Sequence, residues 1–178
     1  PEALVLLIPT LVFALSFHEF AHAWMAYKCG DNTAARMGRL TINPFAHLDP
    51  IGSLMILFVG FGWAKPVPVD GRFLAKPRTD MMKIAAAGPV ANLLLAMVSG
   101  FIFRFFNASG LLTEPILILL IYFTRINITL AVFNLIPVSP LDGSQIFSGF
   151  LMKHNPDLAW KIQSFGPQVL FGLILFGY

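Results

Sequence analysis

Apolar residues run along the chain in four long blocks separated by shorter polar stretches. The first block, 3–27, exceeds the roughly 20 residues that a helix needs to cross a hydrocarbon core, and it is interrupted by Ser16, His18, Glu19 and His22. It has neither the basic start nor the A-x-A-like cleavage site of a signal peptide, so it is expected to remain as a span. Residues 84–103 carry no charge and are bounded by Lys83 and Arg104, whose cationic ends suit the two headgroup layers. A short polar break with Asn107, Gly110 and Glu114 precedes a third span, 115–136, and the apolar stretch 158–178 makes a fourth. Residues 51–63 are too short to cross and are expected to form a re-entrant or interfacial piece. Alternation in 37–43 and in 67–73 predicts two short strands able to pair as a small sheet at the membrane edge. The fold expected is an all-α polytopic membrane protein: a helical bundle with a re-entrant or short apolar segment and that membrane-edge β-sheet. With no internal repeat or linker, residues 1–178 read as one transmembrane domain.

Composition narrows the choice of solvent. The chain is 57% hydrophobic and 12% charged, against about 45–50% and about 25% in soluble domains. Its 178 residues, 18 of them Phe, cannot enclose that much apolar surface in a core of their own. One cysteine excludes a disulfide framework and a thiolate metal site. A net charge of +3, without basic residues interleaved with stacking aromatics, argues against nucleic acid as a partner. The basic residues instead report topology. Lys28, Arg36, Arg39, Lys65, Arg72, Lys76, Arg78 and Lys83 fall in the two loops 28–50 and 64–83, which puts both loops on the cytoplasmic side of the cell (inner) membrane and keeps 51–63 from crossing. The span 84–103 then runs outward and 115–136 returns.

Within the first span lies His18-Glu19-Phe20-Ala21-His22, an H-E-x-x-H pattern. Positions i and i+4 share a helix face, so both imidazoles can hold one metal ion while Glu19, about 100° round from His18, reaches a water there. Ionisable groups inside a span are costly and mark function. A catalytic zinc site takes three protein ligands, and the third is sought among His47, His154 and the carboxylates. Asp142 is the most telling, because Pro137, Pro140 and Gly143 deny the surrounding backbone a regular helix and free the aspartate to turn inward. His22 lies near the basic end of the first span and Asp142 just past the end of the span that returns to the same side, so both arrive at similar depth.

Three motifs, His18-Glu19-Phe20-Ala21-His22, Ala87-Gly88-Pro89-Val90-Ala91-Asn92 and Asn134 through Leu141-Asp142-Gly143, resemble in type and order those of the site-2 protease family of intramembrane zinc metalloproteases. The segments Asn43–Gly52 and Gly62–Val69 look like compact bacterial members, and no PDZ or CBS module is seen in these residues. The resemblance implies one Zn2+ per chain on His18, His22 and Asp142, with Glu19 as general base. It makes Asn134 a candidate to steady the oxyanion or the substrate backbone, and Asn92 a weaker candidate for a similar role. It implies regulated intramembrane proteolysis of transmembrane protein substrates within the lipid bilayer, with water reaching the site from the cytoplasmic side. The substrate helix must unwind, and an edge of the small sheet is expected to accept it as an added strand. The alternative is a catalytically silent metal-binding membrane scaffold, disfavoured because binding zinc does not need Glu19. A soluble zincin is disfavoured by the uncharged 84–103 run. His47 reads as a structural loop histidine, His154 as solvated and Cys29 as an inert small residue. Arg125, near the middle of the third span, needs partners or water that the sequence does not name.

Overall fold

A computed structural model of the chain describes residues 2–59 and 64–176. It contains α1 (Glu2–Lys28), α2 (Thr33–Arg36), α3 (Pro50–Val59), α4 (Pro77–Ala108), α5 (Glu114–Asn134), α6 (Asp142–Leu151) and α7 (Pro156–Phe176), with 3-10 turns at Pro44–Ala46 and Gly71–Phe73. Three helices are long and apolar enough to cross a membrane: Leu6–Lys28 within α1, then α4 and α5. The fourth expected span folds as α7, which has the length but carries Asp157, Lys161, Gln163 and Pro167 and is not among those three. Residues 60–63, which complete the short apolar segment and include Gly62 and Trp63, and residues 177–178 lie outside the described residues. The described part of that segment is α3, ten residues or about 15 Å long, half of what a crossing requires.

α4 is the hub, packed against α1, α5 and α6, while α7 lies on α6. Small residues allow this: Ala14, Ala21, Ala23 and Ala26 of α1 and Ala85, Gly88, Ala91 and Ala96 of α4 are all buried, and such residues let helix backbones approach where apolar burial offers no drive between helices in lipid. The large residues point outward, Phe101, Phe105 and Met97 of α4 among them. Polar groups inside the bundle join the helices. Thr124 of α5 donates to Ser99 Oγ of α4 at 2.9 Å, and Ser99 donates to the Leu120 carbonyl at 3.2 Å.

Among the described residues no strand forms, so the expected small sheet is corrected. The pairing is limited to one isolated bridge, Leu48 with Ala64. Pro66 and Pro68 have no N–H to give a ladder, Gly38 turns the first segment with φ of 68°, and 71–73 coils into a 3-10 turn capped by Asp70. Side chains do the joining instead. Buried Arg39 donates to the carbonyls of Lys65 and Pro66, and buried Asp31 accepts from the backbone N–H of Thr33 and of Asp70 at 2.9 and 2.7 Å. Strand addition of a substrate to a sheet edge falls with the sheet.

Candidate metal centre

α1 sets His18 and His22 one turn apart on its face toward α4, ring centroids 4.6 Å apart. Gly88 of α4 lies directly opposite. A Cβ there would come within 2.5 Å of Nε2 of both histidines, so the helix–helix approach at the site depends on the missing side chain. Asp142 arrives by a different route. α5 ends at Asn134, Pro137 and Pro140 keep 135–141 non-helical, and α6 starts at Asp142. Gly143 rests on the carbonyls of Leu135 and Ile136, where a Cβ would fall far inside van der Waals contact. Gly166 of α7 braces Ser139 in the same way.

The result brings Asp142 Oδ2 to 3.1 Å from His18 Nε2 and 3.3 Å from His22 Nε2. The three could hold a metal ion, one atom from each lying within 4.8 Å of the others. The far ring nitrogens settle the tautomers. His22 Nδ1–H donates to the Ile84 carbonyl at 2.7 Å, and His18 Nδ1–H donates to Asn92 Oδ1 at 2.5 Å. In neutral imidazoles this leaves both Nε2 lone pairs and a carboxylate oxygen converging on one point with no proton between them, an arrangement that calls for a cation. Donor chemistry, distances and the cradle at Gly88 all fit a zinc-sized ion.

The profile of peptidase family M50 matches residues 6–116 and 109–176, essentially the whole chain. The chain belongs to peptidase family M50. It is 43% identical over 145 residues to the "Putative zinc metalloprotease YwhC" of Bacillus subtilis, covering 79% of this chain and 66% of that protein. It is 30% identical over 182 residues to the "Putative zinc metalloprotease Rip2" of Mycobacterium tuberculosis, covering 97% of this chain and 66% of that one. The chain thus spans just under two thirds of these relatives' length. No solved structure matches it.

In this M50 chain His18, Glu19, His22, Asn134 and Asp142 line one cavity of about 510 Å³, with Pro66 and Val67 of the 64–69 segment across from them. Asn134 donates to the Leu130 carbonyl one turn back, at 2.9 Å. Asn92 is fully buried behind His18, and its amide is committed at both ends: Oδ1 accepts from His18, while Nδ2 donates to Asn127 Oδ1 at 2.8 Å and to the Ala14 carbonyl at 3.3 Å. Asn127 in turn donates to the Phe123 carbonyl at 2.9 Å. The chain Phe123–Asn127–Asn92–His18 therefore ties α5, α4 and α1 to the tautomer of His18. Asn127, fully buried, is a site residue that the sequence marks only as an amide inside an apolar span. His47 stands apart from the three metal-capable residues. It is buried, with Nε2 donating to the Thr41 carbonyl at 2.7 Å. His154 is exposed, and the thiol of half-buried Cys29 is pushed up by burial and so made less reactive.

Proposed function

We propose that the chain is the catalytic membrane domain of a zinc-dependent intramembrane endopeptidase, with His18, His22 and Asp142 as zinc ligands and Glu19 as general base. The observation that carries this reading is the meeting of two Nε2 lone pairs and one carboxylate oxygen in a cavity that Glu19 also lines. Bound zinc supplies a Lewis acid that polarises the scissile carbonyl and acidifies a water. The Glu19 carboxylate takes the proton from the attacking water and hands it to the leaving amine. Asn134, at the cavity wall, steadies the substrate backbone or the developing oxyanion. Asn92 acts as a positioning residue, since both ends of its amide serve the protein. The substrate is a transmembrane protein segment, cut where it unwinds into the cavity. The cavity is lined on one side by Ala64, Pro66, Val67 and Val69 of the loop 64–83, which the positive-inside bias assigns to the cytoplasm, and α7 serves as a fourth span.

The test is metal content of the detergent-purified protein together with cleavage of a single-span substrate. The parent should hold near one zinc per chain and cleave, Glu19→Gln should keep zinc without cleaving, and His22→Ala and Asp142→Ala should lose zinc. Full zinc in Asp142→Ala would remove it as a ligand. Zinc in the parent without cleavage across a panel of membrane substrates would favour the silent scaffold.

A further inference from the structure

A second cavity, of about 270 Å³, opens between α1 and α5 and is lined by Leu7 and Leu11 on one side and by Tyr122, Arg125, Ile126, Thr129 and Leu130 on the other. It shares Leu130 with the metal cavity. Leu15, one turn beyond Leu11, and Leu130, one turn beyond Ile126, both line the larger one, so residues at i, i+4, i+8 spacing on each helix set the two cavities along one α1–α5 seam, with Glu19 one turn beyond Leu15. Arg125 stands in this seam eleven residues from Glu114 and nine from Asn134. At 1.5 Å per residue it is about 13–16 Å from either end of α5, the middle of a core of about 30 Å. Its side chain is exposed, and the ion pairs among the described residues join His18 and His22 to Asp142, Arg72 to Asp70 and Lys83 to Asp80, leaving it no carboxylate.

We propose that this groove holds the uncleaved part of a transmembrane substrate helix, and that Arg125 selects helices carrying a carboxylate at mid-membrane depth. A guanidinium in hydrocarbon is costly without a partner, and the Tyr122 and Thr129 hydroxyls beside it add two further polar groups. Lipid phosphates lie at the surface, out of reach. A second copy of this chain offers no match, because Glu19 is the one acidic residue of α1, α4 and α5 more than a turn inside its helix, and it faces the metal cavity. α5 is the least covered of the three spans, so its groove face is open to a helix. About 13 Å separates Arg125 from the level of Asn134. The selected carboxylate therefore lies on the outer side of the cut, about nine residues away if the stretch between is helical and about four if it is extended.

The proposal rests on the protease reading, and its test reads binding so that the two fail separately. Full-chain Glu19→Gln protein in lipid nanodiscs is mixed with a synthetic 21-residue Leu/Ala helix bearing a photoreactive diazirine beside one central Asp, Leu or Lys. Crosslinking to the α1 and α5 groove residues is then mapped by mass spectrometry. The Asp helix should label the groove at least tenfold more than the Leu helix. Arg125→Gln should abolish that preference, and Arg125→Glu should transfer it to the Lys helix. Equal labelling by the three helices, labelling on another face, or adducts only to lipid or to a second copy would each overturn the proposal. The change of probe decides the matter in protein with Arg125 intact, so the folding of the Arg125 variants does not limit the test. Loss of groove preference alongside intact cleavage by the Glu19-containing parent would overturn this proposal and leave the protease reading standing.

Discussion

A methyl group at position 88 would press on both imidazoles at once, since the space a Cβ needs is already taken by His18 and His22 Nε2. Overpacking of this kind costs about 1–3 kcal/mol, and here it falls on the two proposed ligands. Gly88→Ala should therefore lose zinc as readily as His22→Ala while remaining helical by circular dichroism; retained zinc would show that the helices can separate to make room. A subtler effect is expected one step further out. Asn127 has no hydrogen bond to the three metal-capable residues, yet it fixes the Asn92 amide that fixes the His18 tautomer. Loss of such outer support lowers metal affinity about 10–100-fold. Asn127→Leu should release zinc to a chelator at correspondingly lower chelator concentration, with Asn127→Gln recovering part of the difference, and an unchanged release curve would dissociate Asn127 from the metal. At this scale the sequence was informative for His18, Glu19 and His22, because helical periodicity alone places them on adjoining faces. Asn127 and Gly88 act across helix interfaces, and no spacing along the chain encodes which helix a buried amide or a missing side chain will face.

The elements divide along the same line. Block length sufficed for α1, α4, α5 and the short α3, since crossing a hydrocarbon layer is a demand on length and composition. The 37–43 and 67–73 segments show where pattern misleads: alternation is a statement about which way side chains point, and it cannot supply the N–H groups that Pro66 and Pro68 lack. What ties 64–66 to the first segment is a buried guanidinium, Arg39, on the carbonyls of Lys65 and Pro66. Hydrogen bonds to charged groups contribute about 1.5–3 kcal/mol, and removing the donor strands two carbonyls. Arg39→Met should lower the thermal midpoint in detergent by several degrees and speed proteolysis within 64–70. Unchanged protection there would show that the bridge from Leu48 to Ala64 is enough by itself.

For the whole molecule, the decisive constraint is that His22 and Asp142, 120 residues apart in sequence, meet at one depth. α1 ends near that depth, and α6 begins there, so the chain between them must cross the membrane an even number of times. α4 and α5, both long and apolar enough to cross, would supply two crossings, which would leave none for α3 and place the loops before and after it on one side. This is open to direct measurement in a Cys29→Ser background, which removes the single native thiol. Cysteines at the exposed positions Met37, Lys76, Ser109 and His154 report the four connections in turn. A membrane-impermeant maleimide should label Ser109→Cys in intact cells. Met37→Cys, Lys76→Cys and His154→Cys should react only in inverted vesicles. Labelling of Met37 and Lys76 from opposite sides would make α3 a crossing element, and the count between the histidines and Asp142 would become odd. The two halves of the site could then no longer share a face of the membrane, so the same experiment that orients the chain also tests whether its metal centre can assemble in a bilayer.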